Sequence, residues 1–419
     1  MKKVLIITYL PYATPRITGL AKYLPNFGWQ PVIMTPHCSK NTGSQLRIIE
    51  TPYWDSLGFW KKLLGIKTEE DDSRRQIKAR FGINSKKSLL DYVLTAGGAI
   101  LNYPDAERGW KPFAISEGGK IIENEDITAI ISSSSPVTSH LIAKELKTKY
   151  KIPWVADLRD LWSQNHNYSY GPLRKLIDRR LEIKTLYTAD ALLTVSIPWA
   201  EKLNIIHRGK PIYTITHGFD PDEENSPPAK LTAKFTITYT GTIYTKYDTS
   251  KLFAALKDLI SGGALDPDDI EVRFYGTKTD WLENEIQQHG LFRVVKQYGL
   301  VSRKVALAKQ RESQLLLCLK WEDSKERGSY SGKIFQYLGA KRPILATGGS
   351  NDVVSSLLEE TKAGISTPNV EDIKKELNDL YRDYKLHGRV FFKGDDIKIS
   401  KYSNSEKARK LSEILSSML

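Results

Sequence analysis

Two parallel α/β halves in tandem are what this sequence predicts, on three observations. Its 419 residues exceed the roughly 100–200 that one ordinary core holds. Short β-branched apolar runs alternate with stretches of helical period along the chain. That alternation runs through once, meets a loop-like segment near residue 221, and runs through again. Continuous apolar runs mark strands buried on both faces, so each half is expected to be a helix-covered parallel sheet, a Rossmann-like unit.

In the first half the strand candidates are residues 3–9 (KVLIITY), 30–36 (QPVIMTP), 127–135 (ITAIISSSS), 153–159 (PWVADLR) and 191–196 (ALLTVS). Helical periodicity covers residues 19–28, 137–150 and 176–189. In the second half the strands are expected at 211–218, 235–242, 270–277, 292–299, 315–320 and 342–349, with helices over 250–260, 279–290, 303–313 and 332–340. Residues 221–232 (PDEENSPPAKLT) have the proline and small polar content of a loop. The expected organisation is a first domain over 1–217, a second over 218–398, and a closing amphipathic helix over 399–419 that returns to the first domain. Residues 59–88 read as an insertion. They carry nine lysines and arginines against four acids and begin with Phe59, Trp60, Leu63 and Leu64, a pattern that suits either a membrane-surface helix or a solvated loop.

Composition narrows the partners. The formal charge of +13 favours an anionic ligand or surface. Lysines and arginines are spread over both halves without a reader motif, which argues against nucleic acid. Cys38 and Cys318 are the only thiols and lie far apart, so neither a disulfide framework nor a cysteine metal site is expected. The apolar core of the first strand is shorter than the ~7–15 residues of a signal-peptide h-region, and no run approaches ~18 apolar residues. A cytoplasmic protein, peripheral on the inner leaflet through residues 59–88, is the expectation.

Ligands of parallel sheets bind at the carboxyl ends of the strands. There the stretch GSYSGKIFQYLGAKRPILATGG, residues 328–349, puts Ser331, Gly332 and Lys333 directly before an apolar helical run. A helix start offers free N–H groups and a positive dipole end. Ser331 adds a hydroxyl, Gly332 permits close approach, and Lys333 adds a full charge, which together suit a diphosphate. An ordinary capped helix with an exposed lysine is the competing reading. The triplet Asp220-Pro221-Asp222 has the spacing of a metal-binding Asp-x-Asp pair, but it lies at the junction of the halves, and no metal is expected. No G-x-G-x-x-G or Walker A sequence occurs.

The segment SGKIFQYLGAKRPILA resembles the helix-opening signature of bacterial family 4 glycosyltransferases, retaining enzymes of the GT-B fold that use nucleotide sugars. YPDAERGW (103–110), SSSSPVTSHLIA (132–143), ADLRDLW (156–162), TADALLTVS (188–196) and TYTGTIY (238–244) stand in the family's order. The resemblance covers most of the chain except the basic insertion. It implies a metal-independent transferase without a cofactor, moving sugar from a nucleotide diphosphate donor, UDP favoured over GDP, to a glycan or lipid-linked acceptor in surface polysaccharide or glycoconjugate synthesis. Chemistry is expected in a cleft between the domains.

By the same resemblance the donor is held by Thr18 and Gly19 after the first strand, Gly241 and Thr242 after the first strand of the second half, and Ser331, Gly332, Lys333 and Gln336, with Lys246 as a second phosphate ligand and Glu326 or Glu322 substituting for a carboxylate the family carries and this chain lacks. The catalytic candidates are His140, Asp157, Arg159 and Lys333. An internal Arg–Asp pair fixing its loop is the alternative for Asp157 and Arg159, and a structural histidine for His140. The sequence departs from the family at one sensitive place. Gln336 replaces the usual ribose-binding glutamate, and Gly328 occupies the position of its partner eight residues earlier. Glutamine still accepts a hydrogen bond from ribose. A nucleotide-sugar 2-epimerase and a non-catalytic nucleotide-sugar binder are the alternatives.

Overall fold

The structure is a computed structural model that describes residues 1–10, 15–37, 46–54, 103–168, 170–224, 229–245, 247–321, 327–349 and 351–419. The insertion expected over 59–88 lies outside the described residues. The chain divides into two compact units, Met1–Ile215 with Ala408–Leu419, and Thr216–Lys407.

The first unit is built on seven parallel strands: β1 (Lys2–Ile7), β2 (Trp29–Pro36), β3 (Arg47–Thr51), β4 (Ile127–Ser134), β5 (Trp154–Leu158), β6 (Ala191–Thr194) and β7 (Ile212–Thr214), in the order β3-β2-β1-β4-β5-β6-β7. The order reverses direction between β1 and β4. Strands β1, β4 and β5 are buried almost throughout, as continuous apolar runs require. One face packs Leu5, Ile7, Val32 and Ile130 against Ile142, Leu146 and Trp110. The other packs Val4, Ile6, Ile33 and Ile131 against Ile17, Leu20 and the C-terminal residues Ala408, Leu411, Ile414 and Leu415. Those four come from the helix Asn404–Ser417, and Trp29 Nε1 donates to Ser416 Oγ at 3.3 Å.

The second unit has six parallel strands: β8 (Phe235–Thr240), β9 (Ile270–Tyr275), β10 (Val295–Gly299), β11 (Leu315–Leu319), β12 (Ile344–Thr347) and β13 (Gly364–Thr367). Their order is β10-β9-β8-β11-β12-β13, with the reversal between β8 and β11. Phe235, Ile237, Tyr239, Leu315 and Leu317 form the centre of one core face with Leu252, Leu256 and Leu377. Leu316, Cys318 and Ile344 form the other, with Ile334, Phe335, Tyr337 and Leu338. These are two Rossmann-like sheets, as the alternation predicts.

Several features differ from the sequence expectation. The alternation counts residues 211–218 in the second strand set although the expected first domain runs to 217, and β7 pairs in register with β6 of the first sheet, Leu192 opposite Ile212. Strands β3 and β13 were not anticipated. Both are edge strands with half-exposed residues, so neither shows a continuous apolar run. The helix Lys111–Glu125 was missed because it contains Gly118 and Gly119. A Cβ at Gly118 would lie 2.7 Å from Leu146 Cδ1, so glycine there serves close helix packing rather than a break.

Candidate functional site

A reversal of strand order leaves two adjacent strands whose connections diverge to opposite faces, which opens a crevice at their carboxyl ends. Each unit has one such place.

In the second unit, β8 is followed by Gly241 at φ +110°, a conformation that disfavours any side chain. Gly241 N–H donates to the Tyr275 carbonyl at 2.7 Å, and a Cβ on Gly276 would strike Gly241 O. The two glycines therefore let the ends of β8 and β9 cross closely. Gly241 and Thr242 are exposed at this strand end. The helix Gly332–Ala340 begins nearby with Ser331 at its N-cap. The Ser331 side chain makes no capping bond, and a Cβ on Gly332 would meet nothing within 4 Å. The backbone N–H groups of this first turn thus lack a side-chain cap in front of them.

Lys333 projects from this turn over Gly241, where an added Cβ would lie 3.3 Å from Lys333 Cε and 3.4 Å from Nζ. Its ammonium donates to the Tyr239 hydroxyl and stands 4.0 Å from the Tyr239 ring centroid and 5.7 Å from that of Tyr247. Tyr239 Oη in turn donates to the Thr242 carbonyl at 2.8 Å. Among the described residues no carboxylate lies within ion-pair distance of Lys333. Burial against these rings pushes its pKa down to about 8. The lysine is therefore a cation held by π-faces and one hydroxyl.

Gln336 lies one turn further on, beside a crevice lined by Phe219, Asp220, Gln310 and Arg311. There Gln310 donates to Thr240 Oγ1 at 2.8 Å while its buried Oε1 has no partner. Asp220 accepts from the Asp222 N–H at 3.0 Å, an Asx turn into the short helix Pro221–Glu224. Among the described residues no group of three or more His, Cys, Asp or Glu is placed to hold a metal. Lys246, Glu322 and Glu326 lie outside the described residues.

Sequence reading missed Tyr239, Tyr247 and Lys320. The Lys320 ammonium, buried at the end of β11, donates to the Gly349 carbonyl, Ser366 Oγ at 2.7 Å and Ser355 Oγ at 3.1 Å, and pairs with Asp352 at 3.1 Å. Asp352 also caps the helix Val353–Thr361, so Lys320 fixes the turn after β12. A charge closing an apolar strand and a tyrosine inside one both require a polar partner when buried, and that was the available signal.

In the first unit the candidates are placed differently. Thr18 and Gly19 were expected in a loop, and they lie instead in the helix Pro15–Tyr23, with Thr18 Oγ1 donating to the Pro15 carbonyl at 3.3 Å. Pro15 at the first helical position and the anchoring of Arg16 start the helix there. Arg16 grips Asp157 with two bonds, Nε to Oδ2 at 3.2 Å and Nη2 to Oδ1 at 2.9 Å, and donates from Nη1 to the Ile215 carbonyl at 2.8 Å. Ser133 Oγ donates to Asp157 at 3.0 Å. Burial alone would raise the Asp157 pKa, but Arg16 and Ser133 outweigh it and hold the carboxylate below its usual range.

Asp157 therefore pairs chiefly with Arg16. Arg159 is buried too, donating to the carbonyls of Ser134 at 2.6 Å and Ser135 at 3.0 Å. His140, in the helix Thr138–Tyr150, has no exposed surface. Its Nδ1 meets Ser132 Oγ at 2.7 Å, and that oxygen also accepts from Trp154 Nε1 at 2.7 Å. Nε2 is buried without a partner. Burial pushes the imidazole pKa down to about 4, so it is neutral near pH 7. As placed, His140, Asp157 and Arg159 are interior groups that brace the ends of β4 and β5.

No family model matches the chain, and none of the curated proteins is similar to it. Solved structures are similar over its whole length. HepE of Anabaena in complex with UDP superposes with a TM-score of 0.64 at 12% identity, covering 100% of both chains. Sucrose-phosphate synthase from Thermosynechococcus elongatus gives 0.64 at 11% identity, over 100% of this chain and 99% of the other. The lipopolysaccharide outer core galactosyltransferase WaaB, in its apo form, gives 0.55 at 11% identity and full coverage of both. At such identities the likeness establishes the fold, which is that of GT-B glycosyltransferases.

Proposed function

We propose that this chain is a glycosyltransferase that takes a sugar from a nucleotide diphosphate donor, with the second unit holding the donor. The observation that carries the reading is Lys333, a cation without a carboxylate partner among the described residues, at a helix start beside two exposed strand-end residues. A diphosphate supplies what this place lacks: negative charge for the ammonium and acceptors for the N–H groups. Breaking the anomeric C–O bond leaves an electron pair on the departing phosphate oxygen, where Lys333 and the helix end stabilise it. The acceptor hydroxyl attacks on the same face, forms the new bond with retention, and passes its proton to that phosphate.

UDP is the favoured nucleotide, and no metal is assigned to the step. Ser331, Gly332, Gly241 and Thr242 surround the phosphates. Lys246 and Gln336 complete the donor site through the family resemblance, with Glu326 in place of the missing first carboxylate. His140, Asp157 and Arg159 act by positioning. A glycan or lipid-linked acceptor of surface polysaccharide synthesis, met at the inner leaflet with residues 59–88 as one contact, completes the proposal. HepE was crystallised with UDP-glucose as well as UDP, which fits the donor class.

A thermal-shift panel of UDP, GDP, ADP and CDP tests the donor site. A ligand at a hundredfold excess over its Kd stabilises by about 2.7 kcal/mol, a rise of several degrees. Transfer or hydrolysis of UDP-sugars, repeated with EDTA, tests the chemistry. No shift with any nucleotide would end the proposal. Binding without turnover would favour the non-catalytic reading that the loss of the family's carboxylate pair supports, and release of an epimerised sugar without an acceptor would favour the epimerase.

A further inference from the structure

The helix Pro172–Leu186 buries both of its acids and one arginine, and it exposes apolar residues together with its other four basic residues. Arg174, Asp178 and Glu182 are buried with Thr185 and Leu186. The inward charges are matched. Arg174 Nε donates to both Asp178 oxygens at 3.0 Å and Nη2 to the Pro104 carbonyl at 2.9 Å, and the guanidinium stacks 4.5 Å from the Tyr103 ring and 4.8 Å from that of Tyr170. Glu182 accepts from the Ser163 N–H at 3.0 Å and meets His207 Nε2 at 3.4 Å.

The outward side carries Leu173, Leu176, Ile177, Ile183 and, directly after the helix, Tyr187, with Leu173 73% and Tyr187 78% exposed. At about 100° per residue these five fall with Arg180 and Lys184 within roughly a third of the helix circumference. Lys175 and Arg179 are exposed beside them. Both acids of the helix are therefore inside, and every outward charge is positive. Ile205 and Arg208, on either side of the His207 that faces Glu182, are exposed as well.

An ordinary surface helix turns its apolar stripe inward. A contiguous exposed stripe marks an interaction site. Here the stripe is interleaved with lysines and arginines and contains no acid, so its partner must be apolar and anionic at once. An anionic bilayer surface meets both demands. The apolar side chains enter the acyl boundary, Arg180 and Lys184 extend their stems to the phosphates, and Tyr187 suits the headgroup level. We infer that the outer face of Pro172–Leu186 docks on an anionic lipid bilayer, with the helix lying along its surface. Its residues are distinct in sequence from 59–88 and from the donor residues of the second unit, and the inference does not rest on the enzymatic reading. Among the described residues no helix is long and apolar enough to cross a membrane.

The test is co-flotation of the full chain with vesicles of phosphatidylglycerol and phosphatidylcholine in equal parts, against phosphatidylcholine alone, at low and high salt. Wild type is expected to float with the anionic vesicles and to be released by salt. Arg180→Gln with Lys184→Gln should lower partitioning about fivefold per charge, hence about twenty-five-fold. Leu176→Ser with Ile177→Ser should lower it at least about tenfold. All four positions are exposed, so both variants should keep the wild-type Tm. Repeating the pairs in a chain lacking residues 59–88 separates the two surfaces, and the helix variants must lose binding in both backgrounds. Failure of wild type to float, or variants that float as well as wild type, would overturn the inference. So would self-association in sedimentation equilibrium that Leu176→Ser with Ile177→Ser abolishes while vesicle binding is absent. Loss of the UDP melting shift with flotation intact would count against the donor site alone.

Discussion

At the switch point of the first unit, Arg16 is closed on the Asp157 carboxylate and Arg159 on backbone carbonyls. At that of the second, a lysine rests on two aromatic rings with no carboxylate partner among the described residues. The strands reverse order in the same way in both units, so topology alone does not distinguish them. What distinguishes them is whether the protein itself satisfies the charge. A saturated cluster holds the scaffold in place, and an unsaturated one leaves its field available to a ligand. Sequence position at a strand end cannot separate these cases, because Arg16 and Asp157 lie 141 residues apart and Lys333 and Tyr239 lie 94 apart.

The largest expected effect tests the saturated side. Asp157→Ala leaves the buried Arg16 guanidinium without its carboxylate, which costs about 3–5 kcal/mol. Thermal denaturation should show the first unit melting well below wild type, and Arg16→Met in the same chain should restore much of the loss. An unchanged Tm would mean that Asp157 is not the brace described here.

Acid titration comes next. The folded His140 binds its proton near pH 4 and the unfolded one near 6.5, so between those values the unfolded state holds more protons. Stability is then complete above about pH 6.5 and falls by about 1.4 kcal/mol per pH unit toward pH 4. Urea unfolding across that range should show the slope, and His140→Gln should flatten it. A slope that persists in the variant would assign the acid sensitivity elsewhere.

On the unsaturated side, Lys333→Ala should weaken UDP by about 10–100-fold, equivalent to about 1.5–3 kcal/mol for charge-assisted bonds, with the Tm of the free protein hardly lowered. The same lysine gives affinity a pH dependence. It is charged below about pH 8 and neutral above, so binding should weaken as pH rises through that value. Calorimetry from pH 7 to 9 should show this in wild type and not in Lys333→Gln. The smallest effect belongs to Tyr239→Phe, which keeps the ring but removes the hydroxyl that receives the ammonium and donates to Thr242. About 1 kcal/mol of binding should be lost. If Tyr239→Phe equals Lys333→Ala, the hydroxyl and not the charge dominates the site.

The central strands were legible because burial on both faces leaves no polar alternation to confuse them: KVLIITY and LLLCLK fall on β1 and β11. The edges were not, since β3 and β13 mix exposed and buried residues over a few positions. The helix Val370–His387, capped by Asn369 and followed by Gly388, carried both boundary signals and was overlooked. Of the candidate site, the helix start at Ser331–Lys333 was readable from adjacent residues. The ring platform beneath the lysine and the Arg16 clamp on Asp157 were not, because only the tertiary fold brings them together. Local sequence placed His140 on its helix, but nothing in it announced full burial.

The placement of Ala408, Leu411, Ile414 and Leu415 in the first unit's core has a consequence for how the chain matures. During translation residues 1–215 leave the ribosome with part of one apolar face uncovered, and all of 216–407 must follow before the C-terminal helix emerges. Until then Ile6, Ile17 and Leu20 form a sticky surface on a nascent chain, a natural place for chaperone engagement.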